Sequence, residues 1–270
     1  MLVLPRRRLA TALLVVGALI LRHQARDRTI VTDDQPELDD QLQIIETSYA
    51  IWIEAGPYEL SYWDKLNKQA VSGYGHEMAE RVRLMLDERG NESRLRGLML
   101  GEGGGTIAGD VLCNHRGEQV TELVIVELVG SIRKLARERF FPVMFSNGCE
   151  ARQLAVHVIA GDAVNVSQSL AANISAGIVA PFDFIIEDFP PAFDDADAMP
   201  AAFWGDLRRL SASNAILLAN TIFGDREQFY EGQQSALAEF GALLRDAGWS
   251  DIVYDRQELS SNVVVVATAR

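Results

Sequence analysis

A glycine-rich run follows an apolar segment near the middle of this chain, where residues 98–105 read Leu-Met-Leu-Gly-Glu-Gly-Gly-Gly. Glycines are needed where the backbone turns tightly and lets a ligand approach closely. A second apolar segment, residues 123–126, ends in a carboxylate at Glu127. Because a carboxylate in that place suits the two hydroxyls of a ribose, the spacing predicts a nucleoside site. The candidate residues are Gly101, Gly103, Gly104, Gly105 and Glu127.

Two further apolar segments also end in acids. Asp162, followed by Ala163, comes after the segment 154–160, and Asp188 comes after the segment 182–187. An aspartate such as Asp162 can accept a hydrogen bond from the amino group of an adenine, although capping a helix is the commoner role for any single acid. Ligands of doubly wound sheets bind where the carboxyl ends of the strands meet. Acids and glycines at four such ends therefore favour a nucleoside site.

Apolar strands and amphipathic helices alternate from residue 95 onwards. The predicted strands are 95–101, 122–128, 154–160, 182–187, 214–222, 251–255 and 262–268, and the predicted helices are 107–114, 131–140, 164–172, 200–210 and 227–247. This alternation predicts a mostly parallel sheet covered on both faces. The connection 256–261 is too short for a crossover helix, so the last two strands form an antiparallel hairpin. The predicted fold class is α/β, a seven-stranded doubly wound, Rossmann-like methyltransferase sheet.

A small β-domain is predicted before this sheet. Residues 41–75 contain short apolar runs separated by turn residues, which is typical of small antiparallel strands. Helical spacing begins at His76, so the catalytic domain is placed at residues 76–270. Residues 26–40 are polar and acidic and are interpreted as a linker.

The first 25 residues predict a targeting segment. Three arginines, Arg6 to Arg8, precede an apolar run that extends from Leu9 to Leu21. This pattern predicts a signal anchor or signal peptide over residues 1–25, with a non-targeting N-terminus as the alternative. The basic flank places the N-terminus in the cytoplasm and the domain outside it. The predicted localisation is therefore membrane-anchored or exported, with the membrane as a partner.

Composition limits the other functions. The formal net charge of −13 would repel phosphate backbones, so nucleic acid is not expected as a partner. The four histidines lack the spacing of metal ligands, and no metal is expected. The two cysteines, Cys113 and Cys149, are predicted to form a disulfide, with two buried thiols as the alternative.

The segments that carry the nucleoside site resemble the spermidine synthase (polyamine aminopropyltransferase) family of the class I S-adenosylmethionine-dependent transferase fold. The resemblance covers about residues 44–270 and rests on the segments 101–107, 126–128, 161–163 and 182–188, and upstream on 46–49, 66–69 and 76–78. It implies a co-substrate that is either S-adenosylmethionine or its decarboxylated form, and a small-molecule acceptor. The family often dimerises, and the sequence leaves the oligomeric state open.

The resemblance also implies roles for single residues. Glu127 would bind the ribose, Asp162 the adenine, and Asp188 would act as the base at the transfer site. Gln69 would contact the nucleoside from the β-domain. The implied activity is the transfer of an aminopropyl or methyl group to a small, amine-type acceptor.

Four departures from the family pattern affect the substrate. The family usually carries an aspartate where Gly104 stands, a second acid shortly after Asp188, a tyrosine at Gly75 and a glutamine at Ala50. Because polyamines are cations that need carboxylates, these changes weaken the polyamine interpretation more than the nucleoside interpretation. Two alternatives stay open, a membrane-anchored S-adenosylmethionine-dependent methyltransferase and an inactive family member with a binding or structural role.

Overall fold

Two sheets and seven α-helices make up the described part of the chain. The structure is a computed structural model that describes residues 27–30, 42–55, 58–71, 73–90, 94–113, 116–146, 148–189, 199–222, 232–256 and 262–270. The first elements are β1 (Asp27–Ile30), β2 (Leu42–Glu46), β3 (Ala50–Ala55), β4 (Tyr58–Asp64), β5 (Gln69–Ala70) and α1 (Gly73–Arg89). The next elements are β6 (Leu95–Leu100), α2 (Thr106–Cys113), β7 (Val120–Glu127), α3 (Gly130–Leu135), a π-helical turn (Ala136–Phe140), α4 (Phe141–Met144) and β8 (Val156–Ala160). The last elements are α5 (Ala163–Ser175), β9 (Phe182–Glu187), α6 (Ala201–Leu210), β10 (Ser211–Ile222), α7 (Gly232–Asp246), β11 (Trp249–Arg256) and β12 (Asn262–Ala269).

The larger sheet has seven strands in the order β11-β12-β10-β9-β6-β7-β8. The strands from β10 to β8 pair in parallel, whereas β12 runs antiparallel to both of its neighbours. The order reverses between β6 and β9, and ligands of doubly wound sheets bind at such a switch point. This topology confirms the predicted α/β fold class, including the C-terminal antiparallel hairpin.

Apolar clusters cover both faces of this sheet. Side chains of α1, α2 and the region from α3 to α4 pack on one face, and side chains of α5, α6 and α7 pack on the other. Strands β6 and β9 are buried along almost their whole length, which explains their continuous apolar runs. The two central strands thus hold the residues at their carboxyl ends in fixed positions.

The smaller sheet is antiparallel, in the order β1-β2-β3-β4-β5. Its side chains Ile44, Ile51 and Trp63 belong to the same apolar cluster as α1 and α2. A buried carboxylate reinforces this contact, because Asp110 of α2 accepts the N–H of Ala70 at 3.1 Å. The small sheet is therefore docked on the side of the larger sheet that carries α1 and α2.

The same carboxylate of Asp110 also fixes helix α1. Its Oδ1 accepts from the guanidinium of Arg83 at 2.6 Å, and its Oδ2 lies 3.2 Å from Nδ1 of His76. A fully buried carboxylate is stable when such donors satisfy it. One aspartate thus joins the small sheet, α1 and α2.

The observed elements differ from the predicted ones at several boundaries. Residues 27–30, inside the segment interpreted as a linker, form β1 and pair with β2. Helix α1 begins at Gly73, inside the segment interpreted as the β-domain, and β10 begins at Ser211 rather than at residue 214. The predicted helix 131–140 is longer than expected and contains a π-helical turn before α4. The helix predicted over residues 227–247 is described from Gly232 to Asp246.

The predicted localisation is wrong. Within the described residues, no helix is both long enough and apolar enough to cross a membrane, which overturns the expectation of a membrane-anchored or exported domain. The predicted targeting segment, residues 1–25, lies outside the described residues.

The two cysteines form the predicted disulfide, which links Cys113 at the end of α2 to Cys149 before β8. The bond spans a sequence separation of 36 residues, and a crosslink of that length restricts the unfolded chain. We expect its removal to lower the free energy of unfolding by roughly 3–4 kcal/mol. Urea denaturation with and without reductant measures this difference. In a Cys113→Ser, Cys149→Ser double variant, reductant should have no effect, and an equally stable reduced wild-type protein would contradict the prediction.

Candidate active site

The carboxyl ends of β6, β7 and β9 are bound together by backbone contacts at Gly101. The Gly101 N–H donates to the carbonyl of Val126 at 2.9 Å, and the Asp188 N–H donates to the carbonyl of Leu100 at 2.8 Å. Gly101 has a φ of +89°, and a Cβ at this position would lie 2.5 Å from the carbonyl oxygen of Asp188. Only glycine fits here, and its use brings the predicted nucleoside loop against the predicted base.

Glu127 ends β7 beside the glycine loop. Its Oε2 accepts the N–H of Glu102 at 2.8 Å, and its Oε1 accepts the N–H of Val129 at 2.8 Å. The side chain is 8% exposed. Each carboxylate oxygen keeps further lone pairs after accepting one N–H, so the group is both fixed and able to accept hydroxyl donors. The neighbouring Leu128 is 64% exposed and offers an apolar surface beside it.

Gly104 is enclosed by the small sheet and by the π-helical turn. Its N–H donates to the hydroxyl of Ser61 in β4 at 2.6 Å. A Cβ at Gly104 would lie 2.9 Å from Cβ of Ser61 and 2.9 Å from Cε1 of Phe140. An aspartate, which the resembled family usually has here, would therefore require the small sheet or Phe140 to move. The space for a carboxylate at this position is filled by protein.

Asp162 caps helix α5. Its Oδ1 accepts the N–H of Asn165 at 2.9 Å, as expected for an N-cap, and Ala163 is the first residue of the helix. The preceding residue, Gly161, donates its N–H to the carbonyl of Glu127 at 3.2 Å. The predicted adenine residue thus lies at the same edge of the sheet as the predicted ribose residue.

Two polar side chains hold the carboxylate of Asp188. Nδ2 of Asn220, at the end of β10, donates to Oδ1 of Asp188 at 3.0 Å, and the side chain of Tyr74 in α1 also forms a hydrogen bond with Asp188. Asn220 is 2% exposed, and its amide oxygen has no hydrogen-bond partner among the described residues. A buried acceptor without a partner is costly unless a ligand donates to it. Asn220 thus holds the Asp188 carboxylate through its amide nitrogen and keeps an unused acceptor oxygen.

Burial and neighbouring charge tune this carboxylate. Burial, and to a lesser degree the charge of Glu127, raise the pKa of Asp188 to about 7, while the hydrogen bonds from Asn220 and Tyr74 oppose the shift. Burial and the charge of Asp188 raise the pKa of the adjacent Glu187 to about 8, against the hydrogen bond from the Phe189 N–H. A group with a pKa near neutral pH is suited to general-base catalysis. Asp188 is therefore poised to accept a proton.

Gln69 lies in β5, at the edge of the small sheet nearest to α2. Its Cα pairs with that of Asp64, and its neighbour Ala70 is the residue bonded to Asp110. The small sheet thus reaches the glycine loop through Ser61, while Gln69 lies at the junction with α2. Its contact with a nucleoside stays a prediction.

The sequence interpretation missed three polar residues of this site. Tyr74 is one position before Gly75, where the resembled family has its tyrosine, so an offset of one residue concealed it. Asn220 follows the apolar run of β10. It could have been recognised from the sequence as a candidate site residue, because a polar side chain at the carboxyl end of a buried strand is unusual. Nothing in the sequence pairs Ser61 with the glycine loop.

The described residues contain no group of three or more histidine, cysteine, aspartate or glutamate side chains placed to hold a metal ion.

Solved structures with the same fold include both methyltransferases and spermidine synthases. A probable spermidine synthase from Corynebacterium glutamicum matches with a TM-score of 0.58 and 21% identity over 86% of this chain and 78% of that one. A spermidine synthase in complex with the transition-state analogue AdoDATO gives 0.56 and 14% identity, covering 89% of this chain and 71% of that one. Human methyltransferase-like protein 13, in complex with SAH, matches with a TM-score of 0.52 and 19% identity, covering 72% of this chain and 80% of that one. No protein-family model and no curated protein matches the sequence significantly.

These comparisons establish the fold class to which the chain belongs. The chain has the class I fold of S-adenosylmethionine-dependent transferases, with the additional N-terminal antiparallel sheet. At these identities the likeness extends to the fold, and the reaction has to be argued from the site itself.

Proposed function

We propose that the protein is a transferase that binds an S-adenosyl nucleoside and transfers its methyl or aminopropyl group to a small, amine-type acceptor. The observation that carries this proposal is the position of Asp188. Its carboxylate lies at the switch point of the sheet, beside the glycine loop, and is held by Tyr74 and Asn220. A base and a nucleoside pocket at one sheet edge are the two parts that such a transfer requires.

The nucleoside half of the proposal is supported by Glu127 and its surroundings. Gly101 and Gly103 of the glycine loop are only half-buried, Glu127 offers acceptor lone pairs for the ribose hydroxyls, and Leu128 offers an apolar surface for adenine. Asp162 lies next along the edge and keeps acceptor capacity beyond its capping bond. An S-adenosyl nucleoside would thus extend from Asp162 across Glu127 to Asp188. Two of the solved structures with this fold contain a named ligand, AdoDATO in one and SAH in the other, which supports an S-adenosyl nucleoside as the ligand here.

The transfer half of the proposal is supported by the polar groups around Asp188. An acceptor amine would give a proton to the Asp188 carboxylate as its nitrogen attacks the carbon attached to the sulfonium. The new N–C bond forms while the C–S bond breaks, and the bond pair stays on sulfur as a thioether. The unpartnered amide oxygen of Asn220 is available to accept a second N–H of the amine. In-line positioning in such a site supplies much of the rate acceleration.

Methyl transfer is favoured over aminopropyl transfer by the packing around Gly104. A donor with a free aminopropyl end carries an ammonium that needs a carboxylate partner. Ser61 and Phe140 fill the space that a side chain at position 104 would occupy, so the loop cannot provide that partner without rearrangement. A methyl donor can be held by other parts of its amino-acid tail.

We expect aminopropyl transfer to putrescine to be slow or absent, although the nucleoside binds. Calorimetry with methylthioadenosine and S-adenosylhomocysteine tests binding, and product analysis with S-adenosylmethionine or its decarboxylated form tests transfer. Binding of neither product would indicate an inactive protein and overturn the proposed function. Rapid spermidine formation would show that other acids, with Glu187 the nearest candidate, hold the amine.

The pH dependence of transfer should report on Tyr74 and Asn220. Because the base has to be ionised, kcat/KM should rise as the pH increases through the pKa of Asp188, about 7. The two hydrogen bonds favour the ionised form, so Tyr74→Phe or Asn220→Leu should move the rise to higher pH by roughly one unit. The exposed Tyr49 provides a control, since Tyr49→Phe should leave the profile unchanged. If neither Tyr74→Phe nor Asn220→Leu shifted the pH profile, these two side chains would not control the ionisation of the base.

A further inference from the structure

The glycine loop contains a buried carboxyl group that the proposed reaction does not use. Glu102 follows Gly101, is 2% exposed, and has no hydrogen-bond partner for either carboxyl oxygen among the described residues. Burying a carboxyl group without partners costs free energy, and a small residue would avoid that cost. The position of this acid within the candidate nucleoside loop suggests a functional reason for it.

The charges that face Glu102 come from three elements. Glu127 of β7 is the nearest like charge, and Arg133 of α3 and Arg137 of the π-helical turn are the opposite charges. Burial, followed by the charge of Glu127, raises the pKa of Glu102 to about 8, against the weaker effect of the two arginines. Glu127 receives two backbone N–H donors, whereas the carboxyl group of Glu102 receives none among the described residues. Glu102 therefore binds a proton near neutral pH.

The backbone places Glu102 close to the proposed ligand. The N–H of Glu102 donates to Oε2 of Glu127, the residue proposed to accept the ribose hydroxyls. In an S-adenosyl nucleoside, the sulfonium is attached to the 5′ carbon of that ribose. A positive charge at the sulfonium attracts the ionised form of Glu102 and has no such effect on the protonated form.

We propose that Glu102 is a charge-selecting residue of the nucleoside site, whose buried carboxyl group favours a positively charged sulfonium ligand over the neutral thioether that transfer leaves. The proposal rests on the proposed function, because it needs a nucleoside at Glu127. Binding of the cation draws a proton away from Glu102, whereas binding of the thioether leaves the proton in place. As the pH rises, the site therefore binds the donor more tightly relative to the spent nucleoside.

A matched pair of ligands tests this selectivity. Methylthioadenosine and its S-methylated sulfonium, 5′-deoxy-5′-(dimethylsulfonio)adenosine, share adenine and ribose and differ by one methyl group and one charge. Neither ligand titrates between pH 6 and 9, so a change in their affinity ratio comes from the protein. We expect the preference for the sulfonium to grow roughly three- to thirtyfold over this range, the effect of one partly screened charge pair. Calorimetry in buffers of different ionisation enthalpy should show proton release with the sulfonium only.

Two variants assign the effect to Glu102. Asp188 and Glu187 titrate in the same range, so the decisive quantity is the part of the pH dependence that Glu102→Gln removes. This variant keeps the shape of the side chain and should still bind both ligands. The ratio of their affinities should change less with pH, and the sulfonium should release fewer protons on binding. Glu118→Gln, at an exposed position, is the matched control and should behave as wild type.

Each outcome decides the proposal. An unchanged pH dependence in Glu102→Gln would overturn it while leaving the proposed function intact, because both ligands would still bind. Wild-type protein with a constant affinity ratio and no proton release would overturn it even if the variant failed to fold. Failure of both ligands to bind wild-type protein would overturn the proposed function, and this proposal would fail with it.

Discussion

Replacing Glu127 with alanine is expected to weaken binding of an S-adenosyl nucleoside by roughly 100-fold or more. Two ribose hydroxyls would each lose a charge-assisted hydrogen bond worth about 1.5–3 kcal/mol, and about 1.4 kcal/mol corresponds to a factor of ten. Calorimetry with methylthioadenosine measures the change. Affinity that stays at the wild-type level would remove the ribose role from Glu127.

The controls for this experiment follow from the other contacts of Glu127. Alanine also leaves the N–H groups of Glu102 and Val129 without their acceptor, so part of the loss could come from a distorted loop. Glu127→Gln retains the shape and one acceptor oxygen and should still lose about tenfold, because its hydrogen bonds are no longer charge-assisted. Glu138→Ala, at an exposed position in the π-helical turn, should bind as wild type. Thermal unfolding of the variants would show whether the fold is intact.

Replacing Asp188 with asparagine is expected to stop transfer while the nucleoside still binds. A general base contributes on the order of 10²–10⁴-fold to a rate, and asparagine cannot accept the proton. Single-turnover transfer from S-adenosylmethionine to a small amine measures the step directly. Calorimetry with S-adenosylhomocysteine should give an affinity within a few-fold of wild type.

The comparison with Tyr74→Phe makes this prediction sharper. That variant removes a hydrogen bond to Asp188 and keeps the carboxylate, so it should shift the pH profile and retain substantial activity at high pH. Asp188→Asn should be inactive at every pH. If Asp188→Asn retained full activity, the proton would have to leave by another route, with the buried Glu187 as the nearest group.

Several parts of this architecture could be predicted from the sequence because they depend on local patterns. Continuous apolar runs with acids or glycines behind them predicted β6, β7 and β9 and the edge at which their ends meet. The short connection 256–261 predicted the antiparallel hairpin for a similar reason, since its length excludes a crossover. Gly101 was predicted to let a ligand approach closely, which stays a prediction, and the group that the structure places against it is the backbone of Asp188.

Other parts depend on contacts between residues that are distant in sequence. The hydrogen bond from Asn220 to Asp188 joins residues 32 positions apart, and no periodicity indicates it. The pairing of β1 with β2 was missed because the intervening segment is polar and acidic, which is typical of a linker. The predicted membrane-anchored localisation failed because it relied on a short apolar run and its flanking charges. Such local signals say nothing about the described domain.

The hydrogen bond between Ser61 and Gly104 makes the glycine loop depend on the small sheet. It joins residues 43 positions apart, and the neighbouring bond between Ala70 and Asp110 spans 40. Closing a loop of this length costs entropy, which the docking of the small sheet has to offset. The Gly104 N–H therefore has the Ser61 hydroxyl as its acceptor only when the small sheet is docked. A chain shortened to begin after β5 would contain all seven strands of the larger sheet and still lack the side chain that contacts Gly104 in the proposed nucleoside site.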